Sequence, residues 1–156
     1  MHRAYVALGA NLADPVAQVC AAFDALRSLP ETRLLQASSL YRTAPVGVCG
    51  QPDFINAVAR LETGLDAAAL LDALLAIEAT FGRRRDFDLA PRTLDLDILL
   101  WGADGAGCID TATLTVPHPR LHGRAFVLRP LADIAPALVS PAALQAVADQ
   151  RIERLE

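Results

Sequence analysis

The sequence has no lysine. All 14 of its basic residues are arginines. That excludes a P-loop lysine, a Schiff-base lysine and the strand lysine of a kinase. Any side-chain grip on phosphate must then come from arginine, whose planar fork binds phosphate oxygens in pairs. Cysteine is scarce too: Cys20, Cys49 and Cys108 are odd in number and match no metal spacing, so reduced, inert thiols are expected. Aromatic residues make up only 5% and the net charge is −4. A nucleic-acid binder would need a basic footprint, and an RNA-reading sheet an open aromatic face. The longest uncharged stretch near the C-terminus, Ile134 to Ala148, is too short to span a bilayer and carries Pro136 and Pro141. Met1-His2-Arg3 runs straight into apolar Ala4 to Leu8, with no signal-peptide pattern. These absences predict a cytoplasmic protein with neither nucleic acid nor membrane as partner.

What is present is enough for one sizeable core. The chain has 156 residues, 53% hydrophobic and 21% charged, with no internal repeat and no linker, so residues 1–156 are expected to form a single domain. Tyr5 to Gly9 reads as a buried strand, and Gly9-Ala10-Asn11 most simply as the turn after it. Asp14-Pro15 starts a helix whose core positions would be Val16, Val19, Cys20, Phe23 and Leu26. Arg33 to Tyr41 reads as a second strand and 43–53 as a Pro- and Gly-containing loop. Phe54 to Glu62 alternates as a strand does. Asp66 caps a second helix through Leu70, Leu71, Leu74, Ile77 and Phe81, ended by Gly82. An arginine-rich loop, Arg83 to Arg92, leads into a strand over Leu94 to Trp101. Gly102 to Gly107 makes a turn, and Ile109 begins a return arm. A short helix covers Arg124 to Pro130, and a last helix runs from Ser140-Pro141 through Leu144, Val147 and Ile152. The order βαββαββαα has connections too short for repeated crossovers. It predicts an α+β, ferredoxin-like fold: an antiparallel-dominated sheet with helices on its faces.

The chemistry concentrates in Arg92-Thr93-Leu94-Asp95-Leu96-Asp97. On a strand, Thr93, Asp95, Asp97, Leu99 and Trp101 would share one face, and Leu94, Leu96, Ile98 and Leu100 the buried one. The two aspartates would stand roughly 6–7 Å apart at Cα, close enough to converge on divalent ions. Aspartate is disfavoured in strands, so two in one strand need a reason. Magnesium, held by one or two carboxylates plus substrate phosphates, supplies one. Arg83, Arg84, Arg85 and Arg92 lie close by in sequence, with Arg124 further on, as a metal-bound triphosphate requires. His118, fixed between Pro117 and Pro119, is equally readable as a phosphate contact or a plain loop histidine. His122 is four residues on, but Pro119 prevents one helix from presenting both as zinc ligands.

Together these segments resemble the 6-hydroxymethyl-7,8-dihydropterin pyrophosphokinase family of folate biosynthesis. The resemblance rests on 6–12, 39–43, 51–56, Gly82-Arg83, Pro91 to Asp97 and Leu114 to His118, in order along almost the whole chain. It implies an ATP-dependent diphosphotransferase with ATP as co-substrate and two Mg2+ ions. The ions would be held by Asp95 and Asp97, with Arg83 and Arg92 stabilising the transferred group. It implies ATP contacts from Glu78, Arg85, Ile98, Thr115, His118 and Arg124. The pterin would lie between Phe54 and Phe126, its polar edge read by Thr43, Ala44, Val46 and Asn56. Small-molecule substrates and a monomer are expected. The chain departs from the family pattern at Asp86 to Ala90, where an arginine and a tryptophan are usual before Pro91. It departs again at Ala44, Thr113 and Pro119, which predicts weaker nucleotide contacts with the chemistry intact. Two other readings are an Asp-x-Asp phosphohydrolase, disfavoured by the lack of lysine, and a ferredoxin-like RNA-binding module, disfavoured by the acidic charge.

Overall fold

Apolar residues on both faces of the first strand place it inside the protein, covered on each side. A computed structural model of the chain describes residues 1–12, 14–44, 52–81 and 94–155. Strand β1 (His2–Ala10) buries Ala4, Val6, Leu8 and Ala10 on one face and Tyr5 on the other. Helices α1 (Pro15–Arg27) and α2 (Ala67–Thr80) cover the first face with Val19, Phe23, Leu26, Leu70, Leu74 and Ile77. Their N-caps are those expected: the carboxylates of Asp14 and Asp66 accept from the backbone N–H groups of Ala17 and Ala69.

Strand β2 (Thr32–Ala37) and strand β3 (Tyr41–Thr43) both pair with β4 (Phe54–Thr63), which lies beside β1. Strand β5 (Asp95–Trp101) flanks β1 on its other side. A separate two-stranded ribbon joins β6 (Ile109–Asp110) to β7 (Thr115–Val116). Helix α3 (Ala125–Ile134) and helix α4 (Pro141–Ala146) belong to the second face. Strand β8 (Ile152–Arg154) completes the order β5-β1-β4-β3-β8, with β2 also on β4. Every pairing is antiparallel. The α+β, ferredoxin-like architecture is the one expected.

Several local expectations are corrected. Gly9 and Ala10 are strand residues of β1 and not a turn. The segment 33–41 is two strands, because the Ser38 hydroxyl accepts the Val58 N–H that a regular strand carbonyl would take. The buried stripe of α1 is Val19, Ala22, Phe23 and Leu26, whereas Val16 and Cys20 are exposed. Cys20 lies about 100° round the helix from Val19. Helix α3 continues past Pro130 to Ile134, carried by buried Val127, Leu128, Leu131 and Ile134. The last helix stops at Ala146, and Ile152 pairs with Thr43 across β8 and β3. On the way, the Gln150 amide accepts from the Ala125 N–H and donates to the Gly123 carbonyl, supplying the cap that the Arg124 side chain does not.

The Tyr41 hydroxyl ties β3 to α3 by donating to the Asp133 carboxylate at 2.8 Å. Burial first, and then the Asp133 carboxylate, push its pKa up to about 12. An unfolded tyrosine ionises near pH 10. Between pH 10 and 12 the native chain therefore holds a proton that the unfolded chain has lost, and stability falls as pH rises. In urea unfolding followed from pH 9 to 11.5, Tyr41→Phe is expected to lose this alkaline slope. An unchanged slope would exclude Tyr41 as its source.

Candidate active site

Cross-strand register brings the expected residues to one face of the sheet. Asp95 and Asp97 of β5 stand opposite Gly9 and Ala7 of β1. On the other side of β1, Gly9 faces Asn56 and Ala7 faces Val58 of β4. Asn56 in turn faces Tyr41, and Phe54 faces Thr43. One row across the sheet thus reads Asp95, Gly9, Asn56, Tyr41. With strands about 4.8 Å apart, two small residues separate the aspartates from β4 by about 10 Å. Asp95 is half-buried and Asp97 exposed. Asn56 is buried and its amide donates to the Thr43 hydroxyl at 2.8 Å. Phe126 extends this face from the first turn of α3.

A bulge limits how far the face runs. Val6 pairs with Ile98 but Tyr5 with Leu100, so Leu99 is the extra residue in β5. Leu94, Leu96 and Ile98 pack toward α1 and α2, while both Leu99 and Leu100 pack toward α3, and Trp101 returns to the first core. This corrects the simple alternation, which put Leu100 with Leu96 and Trp101 with the aspartates. Asp95 and Asp97 precede the bulge and keep their common face. Ile98 is only 2% exposed, with its side chain in the α1–α2 core. Strand alternation turns the side chain of residue 98 away from the aspartate face.

The outer edge of β5 is covered by two groups. Glu78, near the end of α2 and 3% exposed, accepts the Leu96 N–H at 2.7 Å. The backbone N–H of His118 donates to the Leu99 carbonyl at 3.0 Å. Edge N–H and C=O groups buried without partners would cost stability. Glu78, assigned above to ATP, sits on the helix layer opposite α3 and holds the strand of Asp95 and Asp97 from below. The second bond sets His118 beside β5. Its Nδ1 accepts from the Arg120 N–H at 3.1 Å, which leaves Nε2 as the proton-bearing nitrogen of the neutral ring.

Partial burial lowers the pKa of His118, helped by the charges of Arg124 and Arg120 and opposed by Asp95. Burial and Arg120 lower that of Arg124, while Asp97 and Asp95 raise it. Asp95, Asp97, His118, Arg120 and Arg124 therefore share one electrostatic field. Arg124 also lies over the Phe126 ring, 5.1 Å from its centroid. The sequence reading missed Arg120. Its only linear signal is a position two residues after His118. Thr115 is exposed on β7, Thr43 is buried and Ala44 exposed. Arg83, Arg85, Arg92 and Val46 lie outside the described residues, as does the departure at 86–90.

Among the described residues no group of three or more His, Cys, Asp or Glu side chains could hold a metal by itself. Asp95 and Asp97 still fit magnesium, which takes one or two carboxylates and completes its shell with water and substrate phosphates.

Residues 5–136 match the family model described as 7,8-dihydro-6-hydroxymethylpterin-pyrophosphokinase (HPPK). The chain belongs to this family. It is 54% identical over 141 residues to the 2-amino-4-hydroxy-6-hydroxymethyldihydropteridine pyrophosphokinase of Pseudomonas aeruginosa, covering 90% of this chain and 85% of the relative. The Haemophilus influenzae enzyme of the same name is 48% identical over 141 residues, covering 90% of this chain and 86% of its own. Among solved structures, a crystal structure of an HPPK-DHPS in complex with substrates is similar in fold. Its TM-score is 0.67 at 14% identity, over 94% of this chain and 43% of that one. The Plasmodium falciparum HPPK-DHPS has a TM-score of 0.63 at 14% identity, over 87% of this chain and 40% of that one. The chain spans less than half of these fused proteins, whose likeness shows the HPPK fold alone.

Proposed function

We propose that the chain transfers the terminal two phosphates of ATP, as one unit, to the hydroxymethyl oxygen of 6-hydroxymethyl-7,8-dihydropterin. The products are the pterin diphosphate and AMP, a step of folate biosynthesis. Family membership over residues 5–136 carries this reading. A new bond forms between the pterin oxygen and the β-phosphorus, and the bond from that phosphorus to the oxygen kept by AMP breaks. Residues 1–156 act as one catalytic domain, a monomer of the cytoplasm with small-molecule partners only. No helix among the described residues is long and apolar enough to cross a membrane.

Asp95 and Asp97 would hold two Mg2+ ions, which would supply neutralisation of the phosphate charge. Arg83 and Arg92 stabilise charge on the transferred group. Arg85, Thr115, His118 and Arg124 bind ATP, and Arg120 adds charge beside them. Glu78 positions β5. Phe54 and Phe126 enclose the pterin ring, an arrangement suited to a flat amphipathic ligand. Thr43, Ala44, Val46 and Asn56 read its polar edge.

Incubation with ATP, magnesium and the reduced hydroxymethylpterin should release AMP, and release of ADP instead would overturn the assignment. Phe54→Ala is expected to weaken pterin binding about ten-fold, the scale of one lost aromatic contact, and to leave ATP binding within two-fold. Calorimetric titration of each ligand checks this, and equal losses for both would remove Phe54 from the pterin pocket.

A further inference from the structure

We infer that Gly9 is a positioning residue for pterin recognition, because its missing side chain is the space in which the Asn56 amide lies. The inference rests on the proposed assignment of Asn56 to the pterin's polar edge.

Glycine weakens a strand interior and usually marks a bulge, a bend or a close approach. Gly9 is inside β1, paired with Asn56 on one side and Asp95 on the other, and the shift in β1's pairing falls elsewhere, between Tyr5 and Val6. Its backbone does not need glycine: the positive-φ glycines among the described residues are Gly102 and Gly105. Close approach remains. Among the described residues, a Cβ built on Gly9 would meet Asn56 Oδ1 at 3.0 Å and the Ile55 carbonyl at 3.9 Å.

Asn56 cannot swing aside freely. It is 7% exposed, and its amide nitrogen is bonded to the Thr43 hydroxyl at 2.8 Å. With a methyl group at position 9 the amide must give by a few tenths of an ångström, against its bond to Thr43. That displacement moves the amide, whose adjacent donor and acceptor are suited to the donor–acceptor edge of a flat heterocycle. Gly9 thus sets the height of Asn56 above β1, on the same row as Asp95.

The test is a double-mutant cycle of Gly9→Ala and Asn56→Ala. Gly9→Ala is expected to raise the KM for the pterin about ten-fold, the scale of one lost buried hydrogen bond, with the KM for ATP unchanged. It is also expected to lower the melting temperature of the ligand-free protein. In the Asn56→Ala background, adding Gly9→Ala should lower it no further, since the colliding amide is gone. A melting loss of the same size in both backgrounds would overturn the inference, as would wild-type pterin kinetics in Gly9→Ala. The ligand-free cycle is readable even if Gly9→Ala alone folds poorly, because the double variant then regains stability. A wild-type protein that releases no AMP would refute the assigned reaction, whereas the melting cycle tests the Gly9–Asn56 contact independently.

Discussion

Asp97→Ala should reduce AMP formation by about a thousand-fold or more while the protein still folds. Metal stabilisation of transition-state charge amounts to several kcal/mol, and each 1.36 kcal/mol is about ten-fold in rate. Asp97 is exposed and stands opposite the small Ala7. Its melting temperature should stay close to that of the wild type, within the usual range for surface substitutions. Asp95→Ala should cost a comparable amount, but its half-buried position beside His118 predicts a small stability change as well. Rapid-quench measurement of AMP across a magnesium titration separates lost metal affinity from lost chemistry. Near-normal turnover in Asp97→Ala would remove the carboxylate pair from the mechanism.

Glu78→Ala should lower the stability of the whole protein. Glu78 accepts the Leu96 N–H at 2.7 Å in a position almost closed to water. Removing the carboxylate leaves that N–H buried without its acceptor, a loss of about 2–3 kcal/mol for a charged hydrogen bond. In a chain of this length that corresponds to a fall of about 5–10 °C in melting temperature. Glu78→Gln keeps an acceptor and loses the charge, so about half the effect is expected. Because Leu96 lies between Asp95 and Asp97, Glu78→Ala should also raise the magnesium concentration needed for half-maximal activity. Melting curves for both variants and a magnesium titration check this. If Glu78→Ala melts with the wild type, the carboxylate does not hold β5.

Local sequence signals carried much of this architecture. Asp14-Pro15 and Asp66 mark helix starts through bonds that span three residues, and the structure contains both. The alternation of Leu94, Leu96 and Ile98 against Asp95 and Asp97 marks the face of β5 correctly up to the bulge. What escaped depends on partners distant in sequence. Leu99 is extra only because of how β1 pairs with β5, and Ile152 is a strand residue only because Thr43 lies beside it. Val16 and Cys20 fit an apolar helical spacing, but the sheet selects which stripe is buried, and Ala22 completes it. Glu78 entered the ATP contacts only through the family resemblance. The structure shows its carboxylate accepting a backbone N–H eighteen residues away. The role of Gly9 is invisible in sequence for the same reason: it depends on an amide carried by a different strand.

The central position of β1 has a consequence for the protein's synthesis. Strand β1 has a neighbour on each side and is made before both of them, so neither exists when it leaves the ribosome. At about 5–20 residues per second, β1 waits several seconds for β4 and longer for β5. Until β5 emerges, one side of an apolar strand offers unpaired backbone to any other chain. The strand that bears Asp95 and Asp97 therefore has a second duty in the newborn protein. It closes the last open edge of β1, so a nascent chain halted before residue 95 would be both inert and prone to stick.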